Sequence, residues 1–173
     1  MKINVIISLI LILLVSKSWA TEDNIIGKCE TLVSKKFSQW RKASVTSEVA
    51  EWARSRGESP TEIYGDFDGN TDQDVALLIQ VGSNPKNTYP ERLNSLYIAV
   101  CLNNPPLVTL YLIDRLYCGD LITLSHKGKS YYNYETGKTG RYPLDGIGAI
   151  CFEKAGATYL YDGAKFIKIV DSD

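Results

Sequence analysis

Apolar residues follow three successive spacings along this chain. Residues 3–15 are an apolar run interrupted only by Asn4 and Ser8. From Ile26 the apolar positions recur at steps of three and four: Ile26, Cys29, Leu32, Val33, Phe37 and Trp40, with Lys28, Glu30, Lys35 and Lys36 between them. That spacing gathers the apolar side chains on one stripe and predicts an amphipathic helix of about 15 residues. A second, shorter helix is predicted over "TSEVAEWARSRG". Thr46 or Ser47 can cap it, Glu48 suits its positive end, and Val49, Trp52 and Ala53 form an apolar face. Arg54 and Arg56 fall in its last turn, and Gly57 can take the left-handed position that ends it. Trp40 and Trp52 read as core or helix-docking residues.

Beyond Pro60 the period becomes two. "TEIYGDF" is a candidate strand, and "DVALLIQV" is apolar on both faces, as a central strand requires. "SLYIAVCL" has the same character. "LVTLYLI" follows Pro105-Pro106, whose rings interrupt a ladder and mark a turn, and "DLITLS" comes next. In "ATYLYDGAKFIKIV" two alternating runs flank Asp162-Gly163, which predicts a hairpin with a two-residue type I′ turn. Gly82 to Asn94 and the Gly-, Lys- and Tyr-rich stretch Ser125 to Gly146 read as loops. Two helices followed by about seven to nine strands predict an α+β fold, with two N-terminal helices packed on a mostly antiparallel β-sheet.

The first regime changes the picture of where the chain works. Lys2, the apolar run and Ser18-Trp19-Ala20 form the charged start, apolar core and small-residue cleavage site of a secretory signal peptide over residues 1–20. About 13 apolar residues fall short of the roughly 20 that span a bilayer, so no membrane anchor is expected after cleavage. Residues 21–173 are expected to form one periplasmic or secreted domain. Without Lys2 and Lys17, 17 basic residues face 20 acidic ones, a net charge of −3 that argues against nucleic acid as a partner. Cys29, Cys101, Cys118 and Cys151 all lie in the mature part. An even count in an oxidising compartment reads as two disulfides, with three pairings open.

The stretch "GDFDGNTDQDVALLI", Gly65 to Ile79, is the strongest candidate for chemistry. Side chains at alternate positions of a tight loop turn inward, so Asp66, Asp68 and Asn70 can converge, with Asp72 offering a carbonyl and Asp74 closing the site. Calcium is a hard ion that takes six to eight such oxygens. From Glu58 to Asp74 there are six acids and no Lys or Arg, whereas Lys28 to Arg56 holds seven basic residues and three acids. Three readings therefore stand together: a calcium loop, a loop neutralised by basic residues of the helices, and a solvated Asx-rich turn.

The same residues resemble the calcium loop of FG-GAP and VCBS-type repeats, found in integrin α-chain propellers, and the chain as a whole resembles small exported bacterial proteins. The resemblance implies Ca²⁺ held by side-chain oxygens of Asp66, Asp68, Asn70 and Asp74 and by the carbonyl of Asp72. It covers one short motif, so it implies a local calcium-binding turn and no propeller. Asn70 removes one charge from the pattern. Thr71 stands where Gly is usual, and a β-branched residue adopts left-handed backbone poorly. Affinity is expected in the weak range of roughly 10⁻⁴–10⁻³ M.

A second candidate lies between His126 and Arg141. Lys127, Lys129, Lys138 and Arg141 accompany one acid, Glu135, and Tyr131, Tyr132 and Tyr134 interleave. Tyrosines over a cationic loop can bind a partner by stacking and charge, and Lys127, Lys129, Tyr131, Tyr132, Tyr134 and Arg141 are the residues proposed to do so. The plainer alternative is a hairpin whose tyrosines pack across strands. Catalysis has little support: His126 is the single histidine, and Asp145 or Glu153 would have to act as acid or base. The expectation is an exported, disulfide-bonded binding protein, inhibitor- or immunity-like, with a protein partner in the cell envelope. A hydrolase of cell-wall or glycan material and a structural envelope component are the alternatives.

Overall fold

The computed structural model describes residues 25–82, 95–114, 116, 119–152 and 154–172. The expected signal peptide, almost all of the expected Gly82–Asn94 loop, Cys118 and Glu153 lie outside these residues. The architecture corrects the α+β expectation. The described residues are mostly β: eleven strands in three sheets, with two short helices at the periphery.

Helix α1 covers 25–36, and the chain then turns into strand β1, Trp40–Lys42. The three-four spacing thus runs past the true helix end. Trp40 docks back instead, its Nε1 donating to Ser34 Oγ at 2.9 Å. Helix α2, Ser47–Ser55, matches its sequence signals: Thr46 accepts from Val49 N, and Gly57 takes φ 70°. It docks through Trp52, edge-on to Phe152 with ring centroids 5.9 Å apart.

Strands β2 (Glu62–Gly65), β3 (Asp74–Val81), β4 (Leu96–Asn104) and β5 (Leu107–Ile113) join β1 in the first sheet. β3 is central: β1 and β2 follow one another along one edge, and β4 lies along the other, all antiparallel. This is why β3 is apolar on both faces. Val75, Leu77 and Ile79 pack with Ile25, Cys29 and Val33 of α1, while Ala76 and Leu78 face the second sheet. Replacing Leu77 or Leu78 by Ala should cost about 2–5 kcal/mol.

The second sheet holds β6 (Leu121–Ser125), β9 (Gly146–Cys151), β10 (Ala155–Tyr161) and β11 (Phe166–Ser172) in the order β11-β10-β9-β6. Ile122, Ile147, Ala149 and Tyr159 meet Leu96, Ile98, Val100 and Leu102 of the first sheet in the main core. One side of this sandwich is stitched by Ile122 N donating to Pro60 O at 2.9 Å. At the other, Tyr111, Tyr161 and Phe166 cluster, with the two tyrosine hydroxyls 2.9 Å apart.

The stretch expected as a loop over Ser125 to Gly146 contains a hairpin, β7 (Ser130–Asn133) and β8 (Lys138–Arg141). It covers the outer face of the second sheet, where Tyr131 and Tyr142 pack with Leu160 and Ile169. The turn between β10 and β11 also differs from expectation. Tyr161 pairs with Phe166, so four residues form the loop, and Asp162 Oδ1 accepts from both Ala164 N and Lys165 N. A disulfide joins Cys29 of α1 to Cys101 of β4 across 72 positions. Bridges of this kind contribute about 2–5 kcal/mol. Cys151 is disulfide-bonded as well. Among the described residues, no helix is long and apolar enough to cross a membrane.

Candidate metal centre

The Asp-rich loop connects β2 to β3, and the Gly65–Asp74 pair closes its base. Phe67, fully buried, drives its side chain into the main core and so fixes the start of the loop. Its neighbours Asp66 and Asp68 are half-buried. Carboxylate oxygens of Asp66, Asp68 and Asp74 lie within 4.8 Å of one another.

Each carboxylate also orders backbone. Asp66 Oδ1 accepts from Gly69 N at 2.8 Å, and Asp68 Oδ1 accepts from Asn70 N at 3.1 Å. Asp74 is completely buried and accepts from Phe67 N at 2.8 Å and Asn103 N at 2.7 Å. Removal from water pushes its carboxyl up to about 7, against the pull of those two N–H groups, and the negative Asp68 and Asp66 push the same way. Gly69 and Thr71 both take left-handed backbone, φ 81° and 73°. The residue that departs from the glycine pattern thus adopts the glycine conformation, at a cost of about 1–2 kcal/mol.

Asn70 and Asp72 are placed differently from the triad. The Asn70 side chain reaches across to the β4–β5 turn, its Nδ2 donating to Asn104 Oδ1 at 2.7 Å and Asn103 O at 3.0 Å, while its Oδ1 accepts from Asp72 N at 2.7 Å. The Asp72 side chain is exposed and stands outside the triad. Sequence reasoning missed Asn103, Asn104 and Asp145 as loop partners. Asn104 Nδ2 donates to Asp68 Oδ2 at 3.0 Å, and Asp145 accepts from Asp66 N at 3.2 Å and Lys127 N at 2.9 Å. The Asn-Asn pair ahead of Pro105-Pro106 was the available signal, since Asx side chains commonly bond to nearby turns.

The basic residues of the first segment do not neutralise the triad. Among the described residues Lys42 pairs with Glu62 and Glu30, Arg56 pairs with Glu58 and lies over the Trp52 ring, and no Lys or Arg is ion-paired with Asp66, Asp68 or Asp74.

The second candidate divides in two. Tyr131 is half-buried and stacks on Tyr142 with centroids 4.9 Å apart. Tyr132 and Tyr134 are exposed and meet edge to face at 4.9 Å. Lys127, Lys129 and Arg141 are exposed, with one Arg141 nitrogen donating to Gly128 O at 2.8 Å. Below the hairpin, Tyr142 donates to Asp171 and lies 3.2 Å from Thr158 Oγ1; burial and the Asp171 bond push its hydroxyl up to about 12.

Set beside known proteins, the chain finds no counterpart: no family, no curated protein and no solved structure matches it.

Proposed function

We propose that this chain is an exported, disulfide-bonded binding protein whose β2–β3 loop takes a hard divalent cation, with calcium the best fit. The observation that carries the reading is the convergence of Asp66, Asp68 and Asp74 within 4.8 Å. Oxygens that share one calcium ion at about 2.4 Å can be at most about 5 Å apart, so the spacing suits a common ion. Three carboxylates so close repel one another unless a proton or a cation intervenes. Carbonyls and water would complete the shell, and the ion would fix the loop without performing chemistry.

Calcium added to chelator-treated protein should raise the melting temperature and shift the amide signals near Asp66. Asp68→Asn should remove both responses. If neither signal moves in the wild-type protein, the cation reading fails. For the partner, the exposed Tyr132 and Tyr134 with Lys127, Lys129 and Arg141 are the proposed contact residues, and a protein of the cell envelope is the proposed class. Replacing both tyrosines by Ser should abolish specific capture from envelope extract. Equal capture by wild type and variant would remove the hairpin from that role.

A further inference from the structure

The outer edge of β5 separates this molecule from a self-contained sandwich. β5 ends the first sheet, and among the described residues its backbone bonds only to β4. Its seven residues, Leu107–Ile113, include no charge, no proline and no glycine. Natural edge strands are normally blunted by such residues or covered by another segment. The opposite sheet follows that rule: β11 carries Lys168, paired with Glu135 at 2.9 Å, and Tyr134 N donates to its Val170 O at 2.8 Å. On β5 Leu107 is 69 % exposed, the most exposed large apolar side chain among the described residues.

The two ends of the strand differ in charge. At its start, an open groove of about 450 Å³ runs between β5 and α1, lined by Leu32, Leu107 and Val108 and flanked by Lys28 and Lys35. Neither lysine is ion-paired among the described residues. At its finish stands Asp114, exposed.

We infer that β5 pairs antiparallel with β5 of a second copy of this chain, about a two-fold axis at Leu110, to make one continuous sheet. Antiparallel pairing sets Leu107 against Ile113 and Thr109 against Tyr111, with no like charges opposed inside the strand. It also brings Asp114 of each copy beside the lysine-flanked groove of the other, twice by symmetry. The edge, unpaired among the described residues, supplies hydrogen bonds, Leu107 gains cover, and the charged ends set direction and register.

Sedimentation of the mature, oxidised chain over a dilution series tests this. The wild type should show a monomer–dimer equilibrium. Thr109→Lys, at an exposed position on the edge, should yield a monomer with an unchanged circular dichroism spectrum. Lys28→Glu with Lys35→Glu should weaken dimerisation by roughly tenfold, and adding Asp114→Lys should restore it. A chain that stays monomeric at every concentration overturns the proposal. So does a dimer untouched by Thr109→Lys, which would lie on another face, and so does a charge reversal without effect.

Discussion

Two turns in this molecule each hold an aspartate that accepts two backbone N–H bonds, and the two aspartates reach opposite electrostatic states. In the β10–β11 loop, Asp162 is fully exposed, and the N–H groups of Lys165 and Ala164 hold its carboxyl below the usual range. In the β2–β3 loop, Asp74 also accepts two backbone N–H bonds, yet its carboxyl rises to about 7. The number of bonds is the same, though those at Asp162 are local and those at Asp74 come from Phe67 at the start of the loop and from Asn103 of β4. What differs is burial, together with two more carboxylates close by. An acidic turn therefore becomes a candidate ion site through convergence in a dry place, and local turn chemistry alone does not make one.

The sharpest way to break this comparison is to truncate both aspartates. Asp74→Ala leaves Phe67 N and Asn103 N without acceptors, which should cost about 2–5 kcal/mol in a denaturant melt. Asp162→Ala should fall within the error of the same measurement. Comparable losses would show that the accepted N–H bonds, and not burial, set the cost.

Next in size is the pH dependence in chelator. Asp74 has a raised carboxyl, so the native state holds a proton that the unfolded chain releases above about 3.8. Its contribution is complete below that value and is lost as pH rises toward about 7. Asp162, with a lowered carboxyl, contributes above the ordinary carboxylate range and loses that contribution as pH falls. The difference in stability between wild type and Asp74→Asn, followed by denaturant melts from about pH 2 to pH 8, should fall as pH rises between about 3.8 and about 7, whereas that for Asp162→Asn should change only below the ordinary carboxylate range and in the opposite direction. Parallel curves would remove the contrast.

Two smaller effects sharpen it. With a weak site, millimolar calcium should stabilise the wild type by about 0.4–1.4 kcal/mol. That amounts to a shift of a few degrees in melting temperature, present in Asp162→Ala and absent in Asp68→Asn. Thr71→Gly should relieve the left-handed strain and add up to about 1 kcal/mol without calcium, offset by the greater freedom of glycine in the unfolded chain. A loss of stability would mean that the Thr71 side chain makes a contact worth more than the strain.

Much of the strand order was legible because burial on two faces leaves a plain mark. β3 and β4 read as apolar on every position that meets a core, and the helix cap at Thr46 stands in the residues that form it. β9 was not legible, because "GIGAIC" carries glycines that ordinarily weaken strands. The structure supplies the reason: a Cβ at Gly146 would lie 2.6 Å from the Thr158 side chain, and one at Gly148 would lie 2.6 Å from Thr123 Oγ1. Packing across the sheet, invisible in local periodicity, demanded the smallest residue. The fold class failed for a related reason. The helical spacing ran on to Trp40 while the chain had already become an edge strand, and the Tyr-rich stretch, read as a loop with a hairpin as its plainer alternative, forms that hairpin. At the candidate site, the aspartates were legible but their partners were not. Asn103, Asn104 and Asp145 come from turns far along the chain, and no spacing rule links them to Asp66.

The bridge between Cys29 and Cys101 has a consequence for how the molecule comes apart. It closes a covalent ring that contains both short edge strands, α2, the Asp-rich loop and β3. A protease that cuts once inside the ring releases nothing. The two pieces stay tethered, so a nicked molecule migrates as one band until it is reduced and as two bands afterwards. The acidic loop is thus carried on a chain that outlives its first cut.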